Sequence, residues 1–216
     1  MTGAILFINP NSSALVTDGI RAVLDAMRPA HGPDFEVIDI PESPATIATA
    51  ADVARSGLRL SEIAQSRPDC SAFVSACFSD PGVELTRSLV AQPVFGLQDC
   101  GILAALARAD LFGIIALGPA AVARHRLRIR QMGVEGRMVA ELPLNNASAA
   151  EVGHCDRVFA DTLALGQTLK ERGAGALVLG CAGFAPRRAA LERELGIAVI
   201  DPVQAAAGMA LGAVAH

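Results

Sequence analysis

The 216-residue sequence contains no Trp and no Tyr, and charged residues make up only 19% of it. Its 18 Lys and Arg residues do not collect into a basic stripe, and the formal net charge is −4. Because nucleic-acid surfaces need clustered cations and stacking aromatics, we expect no nucleic-acid partner. Since 52% of the residues are hydrophobic, the chain is predicted to be globular rather than disordered.

Long hydrophobic runs and targeting signals are also missing. The N-terminal stretch MTGAILFINPN has no basic flank and only a short apolar run. The C-terminal stretch AAAGMALGAVAH is shorter than the roughly 18 residues that a membrane-spanning helix needs. The sequence therefore predicts a soluble, cytoplasmic protein with no membrane partner.

Motifs for disulfides, metals and nucleotides are lacking as well. The five cysteines are an odd number with no CxxC pair, so we expect reduced thiols. The four histidines share no ligand spacing, which argues against a metal site. The glycines of GAGALVLG precede a predicted strand instead of following it, and no GxxxxGK[ST] is present. We expect no metal and no cofactor.

What the chain does contain is a regular alternation of short β-type runs and helical patterns. After AILFI (4–8), apolar residues recur at helical spacing up to Met27, which predicts a βα unit. Further predicted strands are FEVIDI (35–40), SAFVSA (71–76), PVFGL (93–97), LFGIIAL (111–117), RMVAEL (137–142), GALVLG (175–180) and IAVID (197–201). Unbroken apolar strands are typical of a parallel sheet covered on both faces, so the predicted class is α/β.

The two halves of the chain repeat one pattern. ILFINPNSSALVTDGIRAVLDAM (5–27) and IIALGPAAVARHRLRIRQMG (114–133) each have a strand, a turn with proline and a helix, and FVSACFSDPG and VLGCAGF then close each half. We therefore predict two pseudo-symmetric α/β lobes, each a parallel-rich sheet flanked by helices. The first comprises residues 1–97 plus 201–216, and the second comprises residues 98–200. Ligands of open α/β sheets bind at the carboxyl ends of the strands, so the predicted site is the interlobe cleft.

Cys77 and Cys181 each follow a predicted strand and precede residues suited to the start of a helix. A thiol at a helix N-terminus has its thiolate stabilised by backbone N–H groups, so we expect the pKa of both thiols to be lowered towards neutrality. A free cysteine is otherwise a common small core residue, which is the preferred interpretation of Cys70, Cys100 and Cys155. The repetition in both halves favours a functional role for Cys77 and Cys181.

Polar and backbone groups near the same strand ends are candidates for substrate binding. In NPNSS, Asn9, Asn11 and Ser13 either bind substrate or only cap the following helix, and the sequence leaves both readings open. In the second half, LGPAA offers only the backbone groups of Gly118 and Pro119 at the matching place. The other predicted substrate contacts are Phe78, Ser79, Asp80, Ala182 and Gly183. The basic run ARHRLRIRQ (123–131) is interpreted as a solvated helix face.

Two equivalent acid–base groups, one in each lobe, suit a reaction whose two directions are mirror images. In a racemisation, one cysteine thiolate would remove the proton next to a carbonyl group, and the other thiol would return a proton on the opposite face. Backbone N–H groups after each cysteine could stabilise the developing enolate.

Four motifs in order, INPNSS, ACFSDPG, LGCAGF and VIDPVQAA, resemble the aspartate/glutamate/hydantoin racemase superfamily, in particular its hydantoin and allantoin racemase branch. The resemblance covers nearly the full length and implies a cofactor-independent pair of catalytic cysteines, which correspond to Cys77 and Cys181. Hydantoin racemases usually carry Gly-Glu-Ala-Ala where this chain has QDCG (98–101), and threonines where it has Gly118 and Pro119. We therefore expect the chemistry to be retained and the preferred substrate side chain to differ.

Three functions remain open on the sequence. The first is racemisation of a 5-substituted hydantoin or a related carbon acid, with a small molecule as the partner. The second is an amino-acid racemase of the Asp/Glu type, or a cis–trans isomerase that uses one cysteine as a nucleophile. The third is a binding module that kept the cleft without the reaction. The Ala-rich helices are compatible with a homo-oligomer, which we expect.

Overall fold

The computed structural model describes residues 3–214 and contains two four-stranded sheets in which every pairing is parallel. The first sheet consists of β1 (Ile5–Asn9), β2 (Phe35–Asp39), β3 (Ala72–Ser75) and β4 (Val94–Gly96). The second consists of β5 (Phe112–Ala116), β6 (Met138–Pro143), β7 (Ala176–Leu179) and β8 (Ala198–Ile200). The predicted α/β class is confirmed, and all eight predicted strands are present.

The two sheets have the same strand order, β2-β1-β3-β4 and β6-β5-β7-β8. The strand register also corresponds, because Ser75 at the end of β3 lies beside Ile8, and Leu179 at the end of β7 lies beside Ile115. The pseudo-symmetry predicted from the two half-patterns is therefore present in both topology and register.

Burial explains why the inner strands are apolar at successive positions of the sequence. Every residue of the inner strands β1, β3, β5 and β7 is buried, because helices cover both faces of each sheet. The edge strands β2 and β6 are mostly half-buried and accept charged residues. The inner strands therefore place the residues that follow them at the centre of each sheet's carboxyl edge.

Nine α-helices lie within the described residues. They are α1 (Ala14–Met27), α2 (Ala50–Ser66), α3 (Val83–Arg87), α4 (Leu97–Leu106), α5 (Pro119–Gln131), α6 (Glu151–His154), α7 (Asp156–Glu171), α8 (Arg188–Leu195) and α9 (Pro202–Val214). Two short 3₁₀ helices span Glu135–Arg137 and Ala182–Arg187. Among residues 3–214, no helix has both the length and the apolar character needed to cross a membrane.

Helix α4 lies where the two apolar cores meet. Leu97 and Cys100 belong to the core formed by α1, β1, β3 and α9, whereas Ile102 and Ala105 belong to the core around β5 and β7. Helix α9 packs on α1 and α4, so the C-terminal helix covers the first sheet. The lobe boundary between residues 97 and 98 stays a prediction, and residues 1–2 and 215–216 of the predicted first lobe lie outside the described residues.

Candidate active site

Cys77 and Cys181 occupy equivalent places in the two sheets. Each is the second residue after an inner strand, since β3 ends at Ser75 and β7 ends at Leu179. Both thiols are free and partly exposed. They are close enough that a charge on Cys77 raises the pKa of Cys181. The structure therefore brings together, at the carboxyl edges of the two sheets, the cysteines that the sequence singled out.

Cys181 begins a helix, as predicted, although the helix is of the 3₁₀ type. Its Sγ accepts a hydrogen bond of 3.4 Å from the backbone N–H of Gly183. Gly183 has no room for a side chain, because a Cβ there would lie 1.9 Å from the carbonyl oxygen of Ala149. Ala182 is buried in the core. The loop thus presents one thiol together with backbone groups.

Cys77 does not begin a helix, so the helix-start prediction is wrong in the first half. Helix α3 begins only at Val83, after a turn in which the Asp80 N–H donates to the Cys77 carbonyl at 3.0 Å. Asp80 (φ 46°) and Gly82 (φ 72°) both have left-handed backbone conformations, which interrupt helical geometry. The backbone N–H and the hydroxyl of Ser79 instead act on the Cys77 sulfur by lowering the pKa of its thiol.

The expected lowering of the thiol pKa values is also wrong. Burial raises the pKa of Cys77 to about 11 and the pKa of Cys181 to about 12. Desolvation of the thiolates outweighs the N–H groups of Ser79 and Gly183 and the Arg124 guanidinium, all of which lower the thiol pKa values. Both thiols therefore hold their protons firmly against transfer to solvent at neutral pH.

The NPNSS loop forms a helix cap from its own side chains. The Asn9 amide is buried and donates to Asn11 Oδ1 and Thr17 Oγ1, both at 3.0 Å. Asn11 Oδ1 also accepts the Ser13 N–H at 2.9 Å, and the Ser13 hydroxyl accepts the Val16 N–H at the start of α1. The predicted helix cap is thus present in the structure. Contact of Asn9, Asn11 or Ser13 with a substrate stays a prediction.

Asp80 caps α4 from across the loop. Its carboxylate accepts the backbone N–H groups of Gln98 at 2.9 Å and Asp99 at 3.1 Å. The N–H groups in the first turn of a helix have no acceptor within the helix, which accounts for the position of the Asp80 carboxyl group. A Cβ at Gly96 would lie 2.3 Å from the Asp80 carboxyl group, so a larger residue there would displace this group from the start of α4. Burial, together with the charge of Asp99, raises the pKa of Asp80 to about 8.

This raised pKa predicts that stability falls as the pH rises from about 6 to about 8. The folded protein keeps the Asp80 proton that the unfolded chain has already lost, since the ordinary pKa is 3.8. Each pH unit in this window should therefore lower the free energy of unfolding by about 1.4 kcal/mol. Asp80→Asn keeps an acceptor for α4 and cannot titrate, so the free energy of unfolding of this variant in urea should fall much less steeply with pH than that of the wild type. The exposed Asp110→Asn is the control, and parallel curves for wild type and Asp80→Asn would refute the prediction.

The basic run in α5 is a solvated face only in part. Arg126 and Arg130 are exposed, as predicted. Arg128 instead pairs with Asp99 of α4 at 2.6 Å and with Glu84 of α3 at 2.8 Å. These ion pairs hold α5 against the elements that precede it in the chain.

Arg124 lies between two cavities that α5 forms with the first half of the chain. A cavity of about 340 Å³ is lined by Ser79 and Arg124 among others, and a second of about 240 Å³ is lined by Gly118 and Arg124. The first volume is within the range of small-molecule sites. The Arg124 guanidinium donates to the Ala48 carbonyl, but its Nε is buried and has no hydrogen-bond partner. No carboxylate pairs with Arg124 among the residues that the structure describes.

A buried pair, His125 and Glu141, was missed by the sequence analysis. His125 Nδ1 lies 2.5 Å from Glu141 Oε1, and His125 Nε2 lies 3.5 Å from Ser79 Oγ. The Phe78 ring packs edge-on against the imidazole with 4.9 Å between centroids, so Phe78 is buried instead of facing a cavity. His125 follows the buried Ala121 by one helical repeat, and that spacing could have placed it inside.

Comparison with known proteins agrees with this arrangement. A family model described as Asp/Glu/Hydantoin racemase matches residues 5–210. A hydantoin racemase of Paenarthrobacter aurescens is 31% identical, over 98% of this chain and 91% of the relative. A hydantoin racemase of Rhizobium meliloti is 32% identical, over 95% of this chain and 86% of the relative. The structure of an allantoin racemase from Klebsiella pneumoniae superposes with a TM-score of 0.90 at 28% identity, covering 100% of this chain and 88% of that chain.

These matches span both sheets and both cysteine loops. The hydantoin and allantoin racemase branch suggested by the sequence motifs is therefore supported by relatives in sequence and in structure. The chain is an isomerase of the racemase type, and it belongs to the Asp/Glu/hydantoin racemase family.

Proposed function

We propose that the protein racemises a carbon acid such as a 5-substituted hydantoin by two-base proton transfer between Cys77 and Cys181. The observation that carries the proposal is the equivalent placement of the two thiols after β3 and β7, close enough to interact electrostatically. A planar carbanion held between two such groups loses a proton to one sulfur and gains a proton from the other on the opposite face. The scheme uses no cofactor.

In one direction the Cys77 thiolate removes the proton from the carbon next to the carbonyl group. The electrons of the C–H bond move towards the carbonyl oxygen, and the enolate then takes the proton of the Cys181 thiol on its other face. The products are the opposite enantiomer, a Cys77 thiol and a Cys181 thiolate. The reverse direction exchanges the two roles, which is why two like groups at equivalent positions suit the reaction.

Arg124 supplies positive charge where negative charge develops in this scheme. Its guanidinium lowers the pKa of Cys77 and lines both cavities. Because its buried Nε lacks a partner in the described chain, an enolate oxygen or an anionic substrate group would complete its hydrogen bonding. The small-molecule partner is part of this proposal. A cytoplasmic location, a homo-oligomeric state and the absence of nucleic-acid and membrane partners stay predictions.

Proton NMR in D₂O tests the proposal directly, with both enantiomers of benzylhydantoin and with allantoin, aspartate and glutamate. We expect the ring-carbon proton of a hydantoin or of allantoin to be lost, and chiral chromatography to detect the opposite enantiomer. Exchange of aspartate or glutamate alone would replace the proposed substrate class with amino acids. A covalent adduct at Cys77 or Cys181 in the mass spectrum would indicate nucleophilic chemistry, and binding without exchange would indicate a binding module.

A further inference from the structure

We propose that Asn146 is a substrate-binding residue that selects cyclic ureides over amino acids. Its side-chain amide would bind a ring N–H and the carbonyl group next to it. The inference rests on the proposed function, in which the substrate is a carbon acid such as a 5-substituted hydantoin. It adds a contact from the loop after β6, where the sequence motifs indicated none.

The backbone is anchored to the end of β5 on both sides of Asn146. The Leu144 N–H donates to the Ala116 carbonyl at 2.8 Å, and the Ala147 N–H donates to the Leu117 carbonyl at 3.0 Å. Between these anchors Asn146 has a φ of 52°, in the left-handed region. Asparagine tolerates this region better than most residues, and bulged or strained residues beside a site often aim a side chain into it. The two anchors therefore give the Asn146 side chain a fixed direction.

The Asn146 amide lies in the wall of the cavity of about 240 Å³ that Arg124 also lines. A Cβ at Gly118 would collide with Asn146 Oδ1, so the missing side chain at Gly118 makes room for the amide. Ser148 lines the same cavity, but it exchanges hydrogen bonds with Glu151. Within residues 3–214, the Asn146 amide has no such partner. It thus offers the cavity one free donor and one free acceptor.

The same cavity borders the loop that carries the second cysteine. Leu117 lines the cavity and packs on the same two apolar cores as Cys181. Leu117 and Cys181 also occupy corresponding places after the neighbouring strands β5 and β7. Arg124, on the opposite side of the cavity, acts on Cys77. A molecule bound here therefore lies close to both halves of the proposed active site.

A hydantoin ring matches the two groups along one edge, which carries a carbonyl group, an N–H and a second carbonyl group. In the proposed reaction Arg124 contacts the carbonyl oxygen next to the reacting carbon. The adjacent N–H can donate to Asn146 Oδ1, while Asn146 Nδ2 donates to the second carbonyl oxygen. The carboxylate of an amino acid has only acceptors, so it would leave Oδ1 facing another oxygen. A site built around such a pair of hydrogen bonds rejects molecules that lack one of them.

Titration calorimetry with unsubstituted hydantoin tests this role without turnover, because the ring has no stereocentre. The comparison compound is 3-methylhydantoin, which carries a methyl group on the nitrogen between the two carbonyl groups. We expect it to bind the intact protein about tenfold more weakly than hydantoin, since it lacks the N–H that Oδ1 accepts. In Asn146→Gly the left-handed backbone is kept and the amide is removed, so the two compounds should bind almost equally. Asn145→Gly is the matched control, because Asn145 is exposed and does not line the cavity, and it should keep the preference.

Three outcomes would overturn the role of Asn146. The first is equal affinity of the intact protein for the two compounds, or no binding of either. The second is a preference that persists in Asn146→Gly, which would mean that the residue only shapes the turn. The third is tighter binding of succinate than of hydantoin that is lost in Asn146→Gly, which would assign the amide to a carboxylate. Because binding needs no turnover, an Asn146-dependent preference in a protein that racemises none of the tested compounds would overturn the proposed function and leave this role standing.

Discussion

Cys77→Ala and Cys181→Ala should each lower the rate of racemisation by at least about 10³-fold. Each variant should still exchange the ring-carbon proton of one enantiomer with solvent. Removing one of two acid–base groups stops inversion, because no group remains to deliver a proton on the second face. The remaining cysteine can still remove the proton that faces it and return deuterium to the same face. Proton NMR in D₂O with each pure enantiomer measures exchange, and chiral chromatography measures inversion. The two variants should retain exchange of opposite enantiomers.

Cys155→Ala is the matched control, since Cys155 is also a free and partly exposed cysteine. It should racemise at the wild-type rate. Near-normal inversion by either Cys77→Ala or Cys181→Ala would exclude the two-base mechanism. Retained exchange of the same enantiomer in both variants would place the two thiols on one face of the substrate, which the mechanism does not allow.

The strands could be predicted from the sequence because their signal is local. Runs such as "AILFI" and "GALVLG" are apolar at every position, and the structure buries every residue of β1 and β7. Their bounds agree with the structure to within one residue. The repeated pattern of strand, proline turn and helix likewise predicts that the two halves have the same fold. The two sheets do have the same strand order.

The environment of the thiols could not be predicted in the same way, because it depends on residues far apart in the chain. The residues after Cys77 suit a helix start, yet the carboxylate of Asp80 caps α4 instead of the helix that follows it. The thiol pKa values follow desolvation, which depends on how the two sheets close around the sulfurs. A run of residues suited to a cap therefore predicts a turn but does not identify the helix that is capped.

Helix α5 differs from its prediction for another reason. Its four arginines occur at every second position, and this spacing spreads them around a helix, which predicts a solvated face. In the structure the arginines differ in exposure, since Arg126 is exposed and Arg124 is half-buried, next to the buried His125. Glu141 on β6 had no local signal at all, because a glutamate within an edge strand is ordinarily solvated.

The two halves have the same fold, but the surroundings of their two cysteines differ. The topology gives each half one thiol at the same place, as a reaction with two mirror-image directions requires. The side chains around the thiols then differ, because the Arg124 guanidinium of the second half lowers the pKa of the Cys77 thiol in the first half, and no such cation acts on Cys181. The assembly of both halves is therefore needed to complete the surroundings of Cys77.

Arg124→Met is expected to lower kcat/KM by about 10²- to 10³-fold, with little change in the temperature of thermal unfolding. Methionine keeps most of the length of the side chain and removes the charge, so the developing enolate and the Cys77 thiolate lose the positive charge of Arg124. Loss of one preorganised donor to a developing oxyanion typically has this magnitude. Arg124→Lys should recover part of the activity, because it restores the charge but not the planar pair of donors. Initial rates for both enantiomers and thermal unfolding of each variant measure these effects.

The kinetic constants distinguish what the guanidinium contacts. A fall in kcat at constant KM would assign it to the enolate, and a rise in KM at constant kcat would assign it to an anionic group already present in the substrate. Arg126→Met is the matched control, because Arg126 lies on the exposed face of the same helix and should tolerate the change. Equal activity of Arg124→Met and Arg126→Met would show that Arg124 only joins α5 to the Ala48 carbonyl, and the cation would then have no part in the reaction.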